Sequence, residues 1–146
     1  MNDTHVDDVE AIGRLMAELF EAISWSPESP PDWQRFSQPC LDDLLMVPAA
    51  RPAKTTALQP FMEMMQKQRD DGNLVNFNER TLGHHVRVFG NIAIAMCGFE
   101  TRINDGDPQR GVNAFMLVKS EGSWRIAAMS WDNETDSRRL PDYLGE

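Results

Sequence analysis

The sequence predicts an α+β domain, with three N-terminal helices packed on a curved antiparallel sheet, and three observations lead there. Apolar residues recur at three- and four-residue spacing through the first half, and from Leu74 onward the period falls to two. Three turn signals, Phe89-Gly90-Asn91, Asn104-Asp105-Gly106-Asp107 and Ser120-Glu121-Gly122-Ser123, then cut the second half into four extended segments. Helices first and a meander of long strands afterwards gather the helices on one face of an antiparallel sheet.

The first helix carries a stripe of Val6, Val9, Ile12, Met16, Leu19, Phe20 and Ile23, with Thr4 and Asp7 approximating a capping box and an end near Trp25. Pro30-Pro31-Asp32 opens a short second helix over Pro31 to Phe36, because proline is tolerated in a first helical turn and an acid suits that end. Leu44 to Val47, stopped by Pro48, is a short strand. Thr55 or Thr56 then caps a third helix with an inner face of Leu58, Phe61, Met62 and Met65, Pro60 sits in its first turn, and Asp71-Gly72-Asn73 ends it. The strands follow, roughly Val75 to Val88, Ile92 to Ile103, Gly111 to Lys119 and Trp124 to Asn133. In the second of these both alternating sets are apolar, Ile92, Ile94 and Met96 against Ala93, Ala95, Cys97 and Phe99. The helices cover one face only, so the other is expected to pack on a second copy in a homodimer. Residues from about 135 to the end form a polar, peripheral tail in which Leu140, Tyr143 and Leu144 are able to dock.

At 146 residues, 41% hydrophobic and 25% charged, the chain reads as a single globular domain spanning residues 1–146. Its formal charge of -9 disfavours nucleic acid and anionic membranes, which select clustered Lys and Arg, and no stretch approaches the length of a membrane span. Without a secretory signal at its start, and with Cys40 and Cys97 in unrelated contexts, a cytoplasmic protein with reduced, buried thiols is expected. No dinucleotide-binding glycine motif, phosphate-binding loop or nucleophile elbow occurs, so no cofactor is expected.

Several segments together carry a family resemblance: Phe77-Asn78-Glu79, Val86 through Ala93, Phe99-Glu100-Thr101-Arg102, Arg110-Gly111-Val112-Asn113, and Trp124-Arg125-Ile126 through Trp131-Asp132-Asn133-Glu134. They resemble the nuclear-transport-factor-2-like superfamily, and within it the SnoaL-like branch, whose members mostly lack an assigned activity. The resemblance implies a cone whose wide mouth opens on a pocket between the sheet's concave face and the helices. Members use that pocket to isomerise, cyclise, dehydrate or hydrolyse small molecules, or to bind partners, and fold alone does not choose among these. The ketosteroid isomerase pattern of a tyrosine on the first helix is not met, since the single tyrosine is Tyr143.

Two acid/base candidates emerge. Asp132 lies beside Trp131 at the end of the last strand, where strand ends of such a cone reach the pocket mouth, and the resemblance implies a pocket aspartate as general acid/base, as in polyketide-cyclase relatives; alternatively it is a rim carboxylate paired with Arg102 or Arg110. His84 and His85 point to opposite faces of a regular strand and make no metal pair, so no metal is expected. His84, on one side with Leu82 and Arg80, is either a titrating pocket group or a hydrogen-bonded structural histidine. Glu79, Glu100, Arg102, Arg110 and Asn113 either form cross-strand networks or line the cavity, and Asn113, in register with Phe115 and Leu117, is the candidate amide for orienting a ligand carbonyl. Trp25, Trp33, Met62, Met64 and Met65 form either core or an apolar lid.

Two functions follow. One is a cofactor-free isomerase, dehydratase or cyclase acting on a small apolar carbonyl compound, with Asp132 and His84 as the proton-transfer pair, Asn113 and Arg80 orienting the carbonyl, and Trp25 and Trp131 as walls. The other is a noncatalytic dimeric module binding a hydrophobic ligand or a partner protein, its carboxylates paired with arginine.

Overall fold

The computed structural model describes residues 2–145, with side chains from Val6 onward. Helix α1 (Asn2–Ile23) and the short α2 (Trp33–Ser37) lead into strand β1 (Cys40–Val47) and the two-residue β2 (Thr56–Ala57). Helix α3 (Leu58–Asp70) precedes four long strands, β3 (Phe77–Phe89), β4 (Ile92–Ile103), β5 (Gln109–Ser120) and β6 (Ser123–Asn133). A 3-10 turn at Asp142–Leu144 closes the chain.

All three helices form, but α3 comes after two strands, so the helices do not all precede the sheet. The sheet has six strands in the order β2-β1-β6-β5-β4-β3. It is mixed, not wholly antiparallel, because β1 runs parallel to β6. The local boundaries differ for local reasons. Helix α1 begins at Asn2, two residues before Thr4, and the capping-box side chain of Thr4 lies outside the described residues. Asp32, not a proline, starts α2: its side chain accepts a hydrogen bond from Arg35 N, satisfying one of the free donors of a helix N-terminus. Thr56 is spent on β2, so α3 starts after Ala57 without a side-chain cap.

The core lies between α1, α3 and the inner face of the sheet. Ile12, Met16, Leu19, Phe20 and Ile23 of α1 are buried, each contributing about 1.5–3 kcal/mol by leaving water. Val6, the first residue of the predicted stripe, is exposed. On β4 the alternating sets separate cleanly: Ala93, Ala95, Cys97 and Phe99 are buried under the helices, while Ile92, Ile94 and Met96 face outward and are exposed.

Two features of β3 and β4 reset the predicted geometry. The β3–β4 register runs Thr81↔Phe99 and then His84↔Cys97, so three steps on β3 oppose two on β4. This bulge at Leu82-Gly83 reverses the alternation: Phe77, Glu79 and Thr81 face inward before it, and His84, Val86 and Val88 after it. Arg80 therefore does not share a side with His84. The C-terminal tail, in turn, is not wholly peripheral. It crosses the outer face over Gly98, Leu144 is fully buried, and any Cβ at Gly98 would run into the Leu144 carbonyl oxygen. Leu140 is partly buried beside it and Tyr143 is exposed.

Candidate functional site

A cavity of ≈ 260 Å³ opens between α1, α2, α3 and the inner face of β3 to β6. Its walls are mostly apolar, with five phenylalanine rings (Phe20, Phe36, Phe61, Phe77, Phe99) and the Trp131 indole. Met64, Gln109 and Asn133 line it and are exposed, which puts the mouth between α3 and the ends of β5 and β6. Among the described residues one ionisable side chain lines it, that of Glu79.

Glu79 is placed by the hand-over from α1 to β3. After α1 the chain pairs with the start of β3 through Trp25 N to Phe77 O (2.7 Å) and Phe77 N to Trp25 O (3.0 Å). Ser24 Oγ then accepts from Glu79 N at 2.9 Å. With the backbone held, the side chain turns inward, where Thr101 Oγ1 donates to Glu79 Oε2 at 2.9 Å. Among the described residues no cation reaches the carboxyl: the neighbouring arginines, Arg80 and Arg110, are committed to Glu100 on the opposite face of the sheet at 3.0 and 3.4 Å. Glu79 is half-buried in the cavity wall, and this burial pushes its pKa up to about 7 against the smaller opposing effect of the Thr101 hydroxyl. A carboxyl poised there both takes and gives a proton near neutral pH.

Asn113 lies deeper, four residues along β5 from Gln109, which is in register with Thr101, the β4 partner of Glu79. Its residue is 5% exposed, and Oδ1 is buried with no hydrogen-bond partner among the described residues. An enclosed amide without a partner costs stability, so its wall position is a natural place for a polar atom of a ligand.

Of the six side chains that the sequence nominates, the structure brings Asn113 and Trp131 to the cavity and leaves four outside its lining. Asp132 follows Trp131 on a regular strand and so turns to the outer face, where its carboxylate is exposed, caps Asn133 N at 2.8 Å and meets Arg138 at 3.4 Å. Its ion-pair partner is thus neither Arg102 nor Arg110. His84 faces inward but near the end of the row, exposed beside α1, with its imidazole packed on the bare backbone of Gly13. Arg80 is outside, holding Glu100 with Nε and Nη2 at 3.1 and 3.0 Å. Trp25 is core: it stacks on Phe77 at 5.0 Å and donates Nε1 to Leu74 O at 2.9 Å. Among the apolar lid candidates, Met64 and Met65 line the cavity, whereas Trp33 donates Nε1 to Gln66 Oε1 at 2.7 Å.

Glu79 stands in the sequence as one of several polar residues within strands. The signal that separates it is its pairing: Glu100, on the outer face, has two arginines, and Glu79 has none. Cys97, in the same inner layer, has a thiol pushed up to about 12 by burial, with the Glu79 charge adding to the rise, and Cys40 is raised to about 12 by burial alone. Both are free thiols and resist ionisation. Among the described residues no group of three His, Cys, Asp or Glu could hold a metal ion, and no helix is long and apolar enough to cross a membrane.

No family model matches the sequence, and neither does any curated protein. Solved structures do match in shape. A Mycobacterium tuberculosis protein of unknown function superposes with TM-score 0.73 at 16% identity, covering 99% of this chain and 83% of its own. A candidate scytalone dehydratase from Novosphingobium aromaticivorans gives 0.70 at 11%, covering 99% and 96%. An NTF2-like protein of unknown function from Shewanella baltica gives 0.64 at 13%, covering 90% and 97%. Identities this low speak for architecture alone, and on that architecture the chain has the nuclear-transport-factor-2-like α+β fold.

Proposed function

We propose that this chain is a SnoaL-like, cofactor-free acid/base enzyme of the isomerase, dehydratase or cyclase type acting on a small apolar carbonyl compound, with Glu79 moving the proton and Asn113 orienting the carbonyl. The observation that carries this reading is a carboxyl without a cation, in an apolar cavity that also holds an amide oxygen without a donor, among the described residues. The cavity is slightly below the range typical of drug-sized ligands, so the substrate is small. Ionised Glu79 removes a proton beside the carbonyl, the Asn113 amide, turned about its last side-chain torsion so that Nδ2 and not Oδ1 meets the ligand, supports the oxygen as charge develops on it, and the protonated carboxyl returns the proton elsewhere on the same molecule. The scytalone dehydratase candidate among the structural matches is compatible with such chemistry.

Deuterium incorporation next to the carbonyl of a panel of small cyclic ketones in D2O, followed by NMR, tests the reaction class. The wild type is expected to accelerate exchange of at least one ketone, Glu79→Gln to lose at least a hundredfold of that rate, and Asp132→Asn to keep it. Full exchange by Glu79→Gln would remove Glu79 from the chemistry.

The same chain reads as a cytoplasmic homodimer. An outward row of Leu45, Ala128, Met116 and Ile94 crosses four strands in register, with Leu45, Met116 and Ile94 47%, 50% and 63% exposed. Ile92 and Met96 flank it. The row contains no acid, so two copies of this acidic chain can meet there without like charges facing each other. Ile94→Glu is expected to turn a dimer into a monomer in light scattering; a wild type already monomeric at micromolar concentration would exclude this surface as a dimer interface. The noncatalytic alternative is favoured by one observation, the Asp132–Arg138 pair, and it predicts ligand binding without exchange.

A further inference from the structure

We propose that the cavity also takes an apolar amine in its ammonium form, with Glu79 as the counter-ion and the aromatic rings as a cage around the cation. This goes beyond the proton-transfer reading and rests only on the part of it in which the cavity admits a ligand. Burying a carboxylate without a cation is costly, and the missing charge is one that no described residue supplies. Among the described residues, α1, α2, β1 and α3 turn apolar side chains to the cavity, while β4 adds Thr101, β5 adds Gln109 and Asn113, and β6 adds Asn133; none of these ionises near neutral pH. The thiol of Cys97 in the same layer stays neutral. The arginines nearest in sequence and register, Arg80 and Arg110, are held by Glu100 on the other side of the sheet.

The walls supply the rest of an ammonium site. Five phenylalanine rings and one indole line the space, and aromatic rings attract a cation most strongly where water is excluded, with tryptophan the best of them. The chain's charge of -9 raises the local concentration of cations at its surface. An amine of this kind would compete with a carbonyl substrate above neutral pH, because it binds the ionised carboxylate that proton abstraction also needs.

Calorimetric titration with 2-phenylethylamine and its neutral isostere 2-phenylethanol, at pH 5.5 and pH 8.0, isolates the charge because both probes bury the same apolar surface. At pH 8.0 the amine is expected to bind at least tenfold more tightly than the alcohol. At pH 5.5 that advantage should shrink severalfold as Glu79 takes up a proton, and in Glu79→Gln it should vanish at both pH values. Equal binding of the two probes at pH 8.0 would overturn the proposal, as would a preference that survives in Glu79→Gln and so belongs to acids on the surface. Binding of the alcohol alone removes the ammonium site and leaves the proton-transfer reading standing; binding of neither probe removes both. The comparison of pH values uses the wild type alone and does not depend on the variant folding.

Discussion

Asp8 and Glu79 are both carboxylic acids drawn out of solvent, Asp8 buried and Glu79 half-buried, and they are placed toward opposite ends of the inner face with different partners. Asp8, on α1, is 6% exposed and accepts from Lys119 Nζ at 3.1 Å and Trp124 Nε1 at 3.0 Å, where the β5–β6 hairpin meets the helix. The Lys119 ammonium in turn lies 5.9 Å from the Trp124 ring centroid. Glu79 receives one hydroxyl, that of Thr101, and faces a cavity. A buried charge with its cation ties a helix to a sheet. A buried acid without one is held in readiness, at a cost to the fold that a ligand or a proton relieves.

Removing the cation from the first site should produce the largest change. Lys119→Met takes one partner, the ammonium, from a buried carboxylate that keeps its Trp124 donor, and is expected to destabilise the protein by about 3 kcal/mol in urea unfolding at pH 7. Replacing both partners, Asp8→Leu with Lys119→Met, should recover much of that loss, since a well-packed apolar pair carries no desolvation cost. A loss below about 1 kcal/mol for the single variant would mean that the pair is effectively solvated and that the contrast with Glu79 is one of position only.

The second site should respond with the opposite sign. The folded-state pKa of Glu79, about 7, lies above its ordinary value of 4.5, so the native state holds an extra proton between those values and stability falls as pH rises through them. Above pH 7 the penalty is complete, and it amounts to roughly 3 kcal/mol at most. Glu79→Gln, which retains an oxygen for Thr101, is therefore expected to melt higher than the wild type at pH 8 and to lose that advantage at pH 4.5. Parallel melting curves across this range would show that the carboxyl is solvated.

The contrast between the two acids was only half legible in the sequence. The change of period at Leu74 and the turn signals located the long strands well, and the second of them, Ile92–Ile103, has the predicted limits. Local signals carry no information on long-range pairing, so the parallel contact of β1 with β6, which makes the sheet mixed, was not readable. The inner position of Asn113 followed from alternation with Phe115 and Leu117, and alternation also separates Trp131 from Asp132, which one pocket does not hold together. Glu79 and Arg80 were harder. A bulge at Leu82-Gly83 reverses the facing of everything before it, and counting back by twos from Val86 reaches Arg80 where the structure places Glu79. Which acid has a cation and which has none is a property of the assembled sheet.

Asn113 extends the comparison to a neutral group and gives the smallest expected effect. Its amide sits in an apolar wall, with Phe115 two residues on in the same buried layer and Met129 across the sheet lining the cavity, and its oxygen is sealed from solvent without a donor among the described residues. Were the residue structural, Asn113→Leu would break a bond and cost stability; the structure contains no such bond to break. Removing an unpaired polar atom while conserving side-chain volume should instead leave the fold unchanged or stabilise it by about 1 kcal/mol. The same variant should weaken binding of a carbonyl ligand about tenfold and leave binding of a hydrocarbon of the same shape unaltered, because only the polar contact has gone. A loss of stability greater than about 2 kcal/mol, with both ligands weakened equally, would instead make Asn113 part of the scaffold and leave Glu79 as the single polar feature held for a ligand.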